Sequence, residues 1–442
     1  MSKKTIWQVF KSKFLSLKLL NISVLKRNFW LIRAISLFLV LVISSCVYRS
    51  NAQITTVTLS GWQSNPNEQK LLADLFKKFE ATHPKIKIKY QVINDQYMDV
   101  IKTRLIADAA PDIFYLDAFE APLLIKSGVI QPLNSYIKKD FDLADIQPTL
   151  LNAFKQNGKI YGLPKDFSTL ALFYNKKAFN EVGLKQPPKT WQQLLEYSKK
   201  LTLDRNNDGR IDQYGLAIAP ELPRQYFTIK AFGGQLVDKT GKAAFATPKG
   251  LKGLQLIVDQ YRKDKSSAQP SDMGASSGSE VFGQGKAAMA IEGSWAIPFL
   301  KETFPEINFS TTEIPTINGK KGTMAYTVAY VMNKKSQHKD AAWQVISYLT
   351  SKQGMKAWAK EGLVLPSRKS VLTELNYAKN PLYAAFVSGA NYATTWQAGE
   401  HLPTILNQFN NQFISALIGE QPLAAAMKKA QETANKEIDL AN

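Results

Sequence analysis

From Thr55 to Ser60 the chain alternates β-branched and polar positions and stops at Gly61, the pattern of a half-buried strand. The period then changes. Asn65-Pro66-Asn67-Glu68 supplies a helix N-cap, a proline at the first helical position and a glutamate three residues after the cap. Leu71, Leu72, Leu75, Phe76 and Phe79 follow at helical spacing. Ile86, Ile88, Tyr90 and Val92 return to alternation, Tyr97 to Ala109 reads as helix, and Ile113 to Leu116 as a short buried strand. This succession predicts an α/β fold. Ligands of such sheets bind beyond the carboxyl ends of the strands. That rule singles out Gly61-Trp62-Gln63-Ser64 and Asp117-Ala118-Phe119-Glu120.

The first 46 residues follow neither period. They carry eight Lys or Arg and no Asp or Glu, then an apolar stretch from Ala34 to Ile43. A basic start, a short apolar core and small residues before a cleavage point describe a signal peptide. The core is well under the ~20 residues needed to cross a bilayer. Ile43-Ser44-Ser45-Cys46 resembles the bacterial lipobox, which implies that Cys46 is diacylated and becomes the new N-terminus, with 47–54 as a tether. The alternative is an uncleaved anchor with a buried cysteine. Both readings place the body on the periplasmic or extracellular face of a bacterial membrane.

Composition narrows the partners. Cys46 is the single cysteine, so an exported body has no internal disulfide and its cores must carry its stability. The leader holds +8 of the formal +20, and the remaining basic residues are scattered, which fits solubility and excludes a nucleic-acid partner outside the cell. The length beyond residue 46 exceeds what one core usually serves, so two lobes are expected.

Several strings in a fixed order resemble the extracellular solute-binding proteins, family 1, of ABC importers. They are PDIFYLDAF at 111–119, SGVIQPL at 127–133, IYGLPKDFSTLALFYNKKAF at 160–179, PPKTWQQLLEYSKKL at 187–201, FGQGKAAMAIEGSW at 282–295 and AWQVISYLTSKQGMKAWAKEGLVLPSR at 342–368. The resemblance implies an α/β, two-lobed periplasmic binding protein (type II) whose hinge the chain crosses three times. The lobes would be 55–165 with 316–366 and 166–312 with 367–442, with Pro164, Pro315 and Pro366 punctuating the crossings. It further implies a monomer that gives a sugar or polyol to an importer's membrane subunits. Lys165 departs from the pattern, because the family usually has an apolar residue there.

Sugars present hydroxyl edges and apolar C–H faces, so their sites need aromatic platforms beside carboxylates. Six tryptophans follow the leader. Trp191, Trp343 and Trp358 sit in helical patterns and are expected in cores; Trp62, Trp295 and Trp396 lie at strand ends or in loops and are the expected platforms. Asp117 and Asp166 match family positions where a carboxylate accepts from sugar hydroxyls, and ionised acceptors make the stronger hydrogen bonds. Gln63, Ser64, Glu221, Tyr226 and Tyr326 are further candidates. Arg368 is placed either to reach the cleft or to form a structural ion pair.

Two other chemistries leave partial traces in the sequence. Asp204, Asn206, Asp208 and Asp212 in DRNNDGRID have the early spacing of a calcium loop, with Gly209 at the tight turn, but Gly215 stands where the bidentate glutamate belongs. A structural Ca2+ and an Asx-rich turn both remain open. Catalysis has little support: His83, His338 and His401 fall in no metal-ligand spacing, and Gly283-Gln284-Gly285-Lys286 lacks the P-loop pattern. The chain is expected to be no enzyme and to need no cofactor. Its rivals are a glycoside-active enzyme using Asp117 and Asp166, and a sensory sugar receptor.

Overall fold

The computed structural model describes residues 54–63, 66–360 and 364–441. The predicted leader, tether and Cys46 lie outside them, save for Ile54, as does Ser64. All of the described residues but Ile54 belong to the compact unit Thr55–Asn442. None of its described helices is long and apolar enough to cross a membrane.

The opening run folds as its periodicity dictates: β1 (Thr55–Gly61), α1 (Pro66–Thr82), β2 (Ile86–Val92), α2 (Tyr97–Ile106) and β3 (Ile113–Asp117). The second helix ends three residues before Ala109, because Ala107 donates to Thr103 and Asp108 turns to positive φ. Later come β4 (Gly162–Asn175), α3 (Trp191–Leu201), β5 (Tyr214–Ala217), α4 (Leu222–Ala231), β6 (Ala287–Gly293), β7 (Phe309–Thr312), β8 (Met324–Met332), α5 (Lys339–Leu349) and α6 (Lys352–Ala359). Hydrogen bonding runs β2-β1-β3-β8-β4-β6-β5, with β7 also on β4. β1 pairs in parallel with β2 and β3, while β8 is antiparallel to both β3 and β4.

Three cores hang on this path, the third built from Phe167, Ala171 and Phe173 of β4 with Phe282, Ala290, Ile297 and Phe386. The first takes Val57, Leu59, Phe79, Ile113 to Leu116 and Leu163, and then Val328 to Met332, Val345 and Trp358. The second takes Leu170, Leu172, Trp191, Leu216, Phe227, Met289, Met324, Trp396, Phe409 and Phe413. Thus β4 and β8 each pass from one lobe to the other. Ile314, Ile317 and Met324 still pack in the second core, so the return crossing lies within β8 and not at Pro315.

Strand β4 is buried along its first twelve residues although its middle reads Lys165-Asp166-Phe167-Ser168-Thr169. Buried polar groups need partners, and here the diverging lobes supply them. Thr169 Oγ1 donates to Phe386 O at 2.9 Å, and Thr323 Oγ1 both donates to Leu170 O and accepts from Leu170 N. The crossing is thereby a polar seam among the apolar cores.

Candidate functional site

The seam opens into a cleft of about 330 Å³ walled by both lobes, at the small end of ordinary ligand pockets. From the first lobe, β1 delivers Trp62 and β3 ends on Asp117, which faces Val328 across the ladder. Trp62 stands almost perpendicular to Tyr97 (5.0 Å, 83°) and Tyr115 (5.3 Å, 89°), the favoured edge-to-face arrangement. This packing requires Gly61, since a Cβ there would lie 2.5 Å from the Tyr115 ring. Asp117 accepts from the Phe119 N–H at 3.4 Å. Burial pushes its carboxyl up to about 7, and the charges of Glu120 and Asp166 add to the shift.

On the other wall, Trp295 follows Gly293-Ser294 at the end of β6 and meets Tyr326 of β8 edge to face (5.7 Å, 77°). Its ring folds back over its own strand: a Cβ on Gly293 would lie 2.2 Å from it. Ser294 is pinned to β4, its N–H donating to Ser168 Oγ at 2.9 Å. Behind the wall, Arg224 Nη2 binds Glu292 Oε2 at 2.8 Å and Nη1 binds the Ile291 carbonyl, both on β6.

The floor departs from regular pairing. Opposite β8, Ala329 pairs with Pro164 and Val328 with Asp166, so Lys165 is the extra residue of a β-bulge. Proline is tolerated at such a position, and bulges re-aim side chains. Lys165 is 5% exposed, its Nζ bonds Asp166 Oδ2, and it lies 4.9 Å from the Tyr115 ring centroid and 4.3 Å from that of Trp358. The Trp358 indole N–H donates to the same Oδ2 at 2.9 Å. Glu68, buried at the start of α1, completes the polar lining.

The sequence candidates therefore divide. Trp62, Asp117, Asp166, Trp295 and Tyr326 converge on the cleft. Trp396 does not: it is 2% exposed within the second core, because the chain after residue 394 runs back under Phe119. Tyr226 packs on that same core, and Glu221 is exposed at the start of α4, 3.6 Å from Arg224. Gln63 is tied to Asn94 through its backbone N–H and lies outside the lining. Arg368 is buried away from the cleft, donating to the carbonyls of Phe141, Asp142 and Thr350 and pairing with Asp145 at 3.4 Å. It forms a structural ion pair with Asp145 instead.

Sequence reasoning missed Glu68, Trp358 and the orientation of Lys165. Glu68 was legible only as part of a helix start and Trp358 only as a helical core position. The Asp204 to Asp212 carboxylates and Asn206 accept backbone N–H groups, Gly209 N to Asp204 Oδ2 (2.8 Å) and Arg205 N to Asp212 Oδ2 (2.7 Å) among them. Among the described residues no cluster of three or more His, Cys, Asp or Glu could hold a metal ion.

A larger open groove of about 820 Å³ lies on the first lobe alone, where Tyr136 and Phe141 pack on Trp343. Trp343 is thus half-buried, packed against the first core from the surface side. Of the two, the interlobe cleft is the better site, because it joins both lobes and concentrates buried charges between aromatic rings.

The profile of the bacterial extracellular solute-binding proteins matches residues 64–356. A maltotriose-binding protein of Pyrococcus abyssi is 25% identical over 340 residues, 74% of this chain and 70% of the relative. An ABC substrate-binding protein of Listeria monocytogenes in complex with cycloalternan superposes with TM-score 0.80 at 23% identity, covering 87% of this chain and 99% of that one. An ABC transporter solute-binding protein of Thermotoga lettingae bound with α-D-tagatose gives TM-score 0.77 at 27% identity, covering 86% and 99%.

Proposed function

The chain belongs to the bacterial extracellular solute-binding protein family, and on that premise we propose that it captures a sugar or sugar-like polyol between its lobes and delivers it to an ABC importer's membrane subunits. The observation that carries this reading is the cleft itself: Trp62 and Trp295 on opposite walls, with Asp117 and Glu68 as acceptors between them. Aromatic faces suit C–H faces, and ionised carboxylates suit hydroxyl donors. Ligand touching both lobes favours their closed arrangement by its differential affinity. The test is a thermal-shift screen of the full-length protein in detergent against sugars and polyols. A ligand at one hundred times its Kd raises stability by ~2.7 kcal/mol; a panel without any shift sinks the reading.

Catalysis is the lesser alternative, because Asp166 Oδ2 already accepts from both Lys165 and Trp358 and is poorly placed to exchange a proton with a glycosidic oxygen. Prolonged incubation with oligosaccharides should release no monosaccharide.

The raised carboxyl of Asp117 gives a pH signature. Hydroxyl donors favour its ionised form, so affinity rises between pH 6 and 8, by up to ~10-fold if only that form binds. Ligand-free stability runs the other way: the contribution of a raised carboxyl is full below the ordinary value near 4 and is lost as pH climbs through about 7. Asp117→Asn should weaken binding and flatten both profiles, which calorimetry and melting curves across pH will check.

Cys46 is proposed as the acylated anchor holding this receptor near its permease. Cys46→Ser should shift the protein out of the membrane fraction with ligand affinity unchanged; continued membrane retention would favour an uncleaved anchor.

A further inference from the structure

The first-lobe groove has no part in the interlobe cleft. Its volume is about 820 Å³ against about 330 Å³, and no described residue lines both. Trp343 joins its aromatic members: the Tyr136 ring packs on it at 5.8 Å and 33°, and the Phe141 ring at 5.7 Å and 48°. All three rings are half-buried. Apolar surface rimmed by polar groups marks an interaction site. The groove is also held in shape from beneath. Arg368, 2% exposed, donates from Nη2 to the Phe141 carbonyl and from Nη1 to that of Asp142, both at 3.0 Å, and its guanidinium stacks 5.0 Å over the Phe141 ring. These bonds fix Asp142 at φ 53°, a conformation uncommon outside glycine.

Charge decides the class of occupant. Lys138, Lys352 and Arg368 stand against Asp140, Asp142 and Asp340 in the lining, so its formal charges cancel and neither a polycation nor a polyanion is drawn to it. Lys352 is taken up by Asp142 at 3.4 Å and Arg368 by Asp145. The exposed side chains of Lys138, Asp140 and Asp340 join no ion pair or hydrogen bond among the described residues. Beside the rings there is thus a donor with two acceptors. Hydroxyls use both, and the C–H faces of sugar rings suit the aromatic surface. We propose that this groove is a second carbohydrate site, holding neutral oligosaccharide chains of several rings along Tyr136, Trp343 and Phe141. It lies apart from the capture site, and its reading does not depend on capture in the cleft. Its larger volume suits a chain too long for that cleft.

The experiment is hydrogen exchange on full-length Trp295→Ala protein, whose cleft lacks one wall, titrated with maltohexaose, cellohexaose and mannohexaose, and with hexalysine and hexagalacturonate as charged probes. At least one neutral hexaose should slow exchange in 135–142 and 340–352, and neither charged probe should. Adding Trp343→Ala should raise the half-saturating concentration at least ~30-fold, the effect of losing a central tryptophan. Absence of protection with all three neutral chains overturns the proposal. So does protection by a charged probe instead, which would mark a docking face for a charged partner, and so does protection that survives Trp343→Ala unchanged. Should Trp343→Ala fail to fold, as ligand-free melting curves will show, the exposed pair Asp140→Ala with Asp340→Ala decides: weakened protection supports the site and unchanged protection overturns it. With the cleft intact, Trp343→Ala should leave the affinity for a sugar found by the thermal-shift screen unchanged; a parallel loss there would mean one shared site and overturn the proposal. A screen without any shift, beside protection of the groove, would sink capture in the cleft and leave this inference standing.

Discussion

Trp295→Ala removes ligand-induced stabilisation while leaving the ligand-free melting temperature nearly unchanged. The ring is only partly buried and packs on the second core from outside, so its loss opens no sealed cavity. It contributes one of the two aromatic walls of the cleft, facing a space about the size of a small sugar. Tryptophans centred in a binding patch commonly contribute 2 kcal/mol or more, so affinity should fall at least ~30-fold. Gly293 extends the argument from residue to motif. The ring lies where a Cβ at position 293 would be, so Gly293→Ala should displace Trp295 and mimic its removal in binding assays. Should Trp295→Ala instead lower the ligand-free melting temperature steeply and spare affinity, the ring belongs to the core and the cleft needs another platform.

Arg368→Met should have the largest effect on stability and little on binding. The guanidinium is 2% exposed, stacks 5.0 Å over the Phe141 ring, and serves three carbonyls and Asp145. Methionine fills much of the volume but leaves the carbonyls of Phe141, Asp142 and Thr350 without these donors. Asp145 retains Ser370 through its backbone N–H and hydroxyl, at 2.9 and 2.6 Å. Breaking a buried pair from one side costs about 3–5 kcal/mol. Denaturant unfolding should show this loss, with the affinity of the surviving protein close to wild type. A variant of normal stability and lost affinity would return Arg368 to the cleft.

Arg368 also shows where sequence reasoning stops. Its place after Pro366-Ser367 left the cleft and a structural ion pair both open, because which way a long side chain turns depends on the distant carbonyls of Phe141 and Asp142, and no local pattern encodes that. Trp396 failed for the same reason: a tryptophan in a polar segment reads as exposed until the core beneath it is known. Trp358 failed in reverse, since helical spacing correctly buried its ring but could not show that its N–H reaches Asp166. By contrast β1, α1, β2 and β3 were legible, because period and punctuation are local. Asp117 was legible with them, since a carboxylate ending a buried strand in an α/β sheet has few places to point. The bulge at Lys165 sits between these cases. Pro164 marked an irregularity, and only the pairing of Val328 and Ala329 showed that the residue after it was the one turned inward.

The claim that ligand bridges the lobes is tested most directly by hydrogen exchange on the full-length protein, with and without a saturating sugar identified by the screen. The account predicts slowed exchange in segments from both lobes, around Trp62 and Asp117 on one side and around Trp295 and Tyr326 on the other, with Lys165 to Ser168 between them. Protection confined to the first-lobe groove around Tyr136 and Trp343, or to a single wall of the cleft, would contradict it.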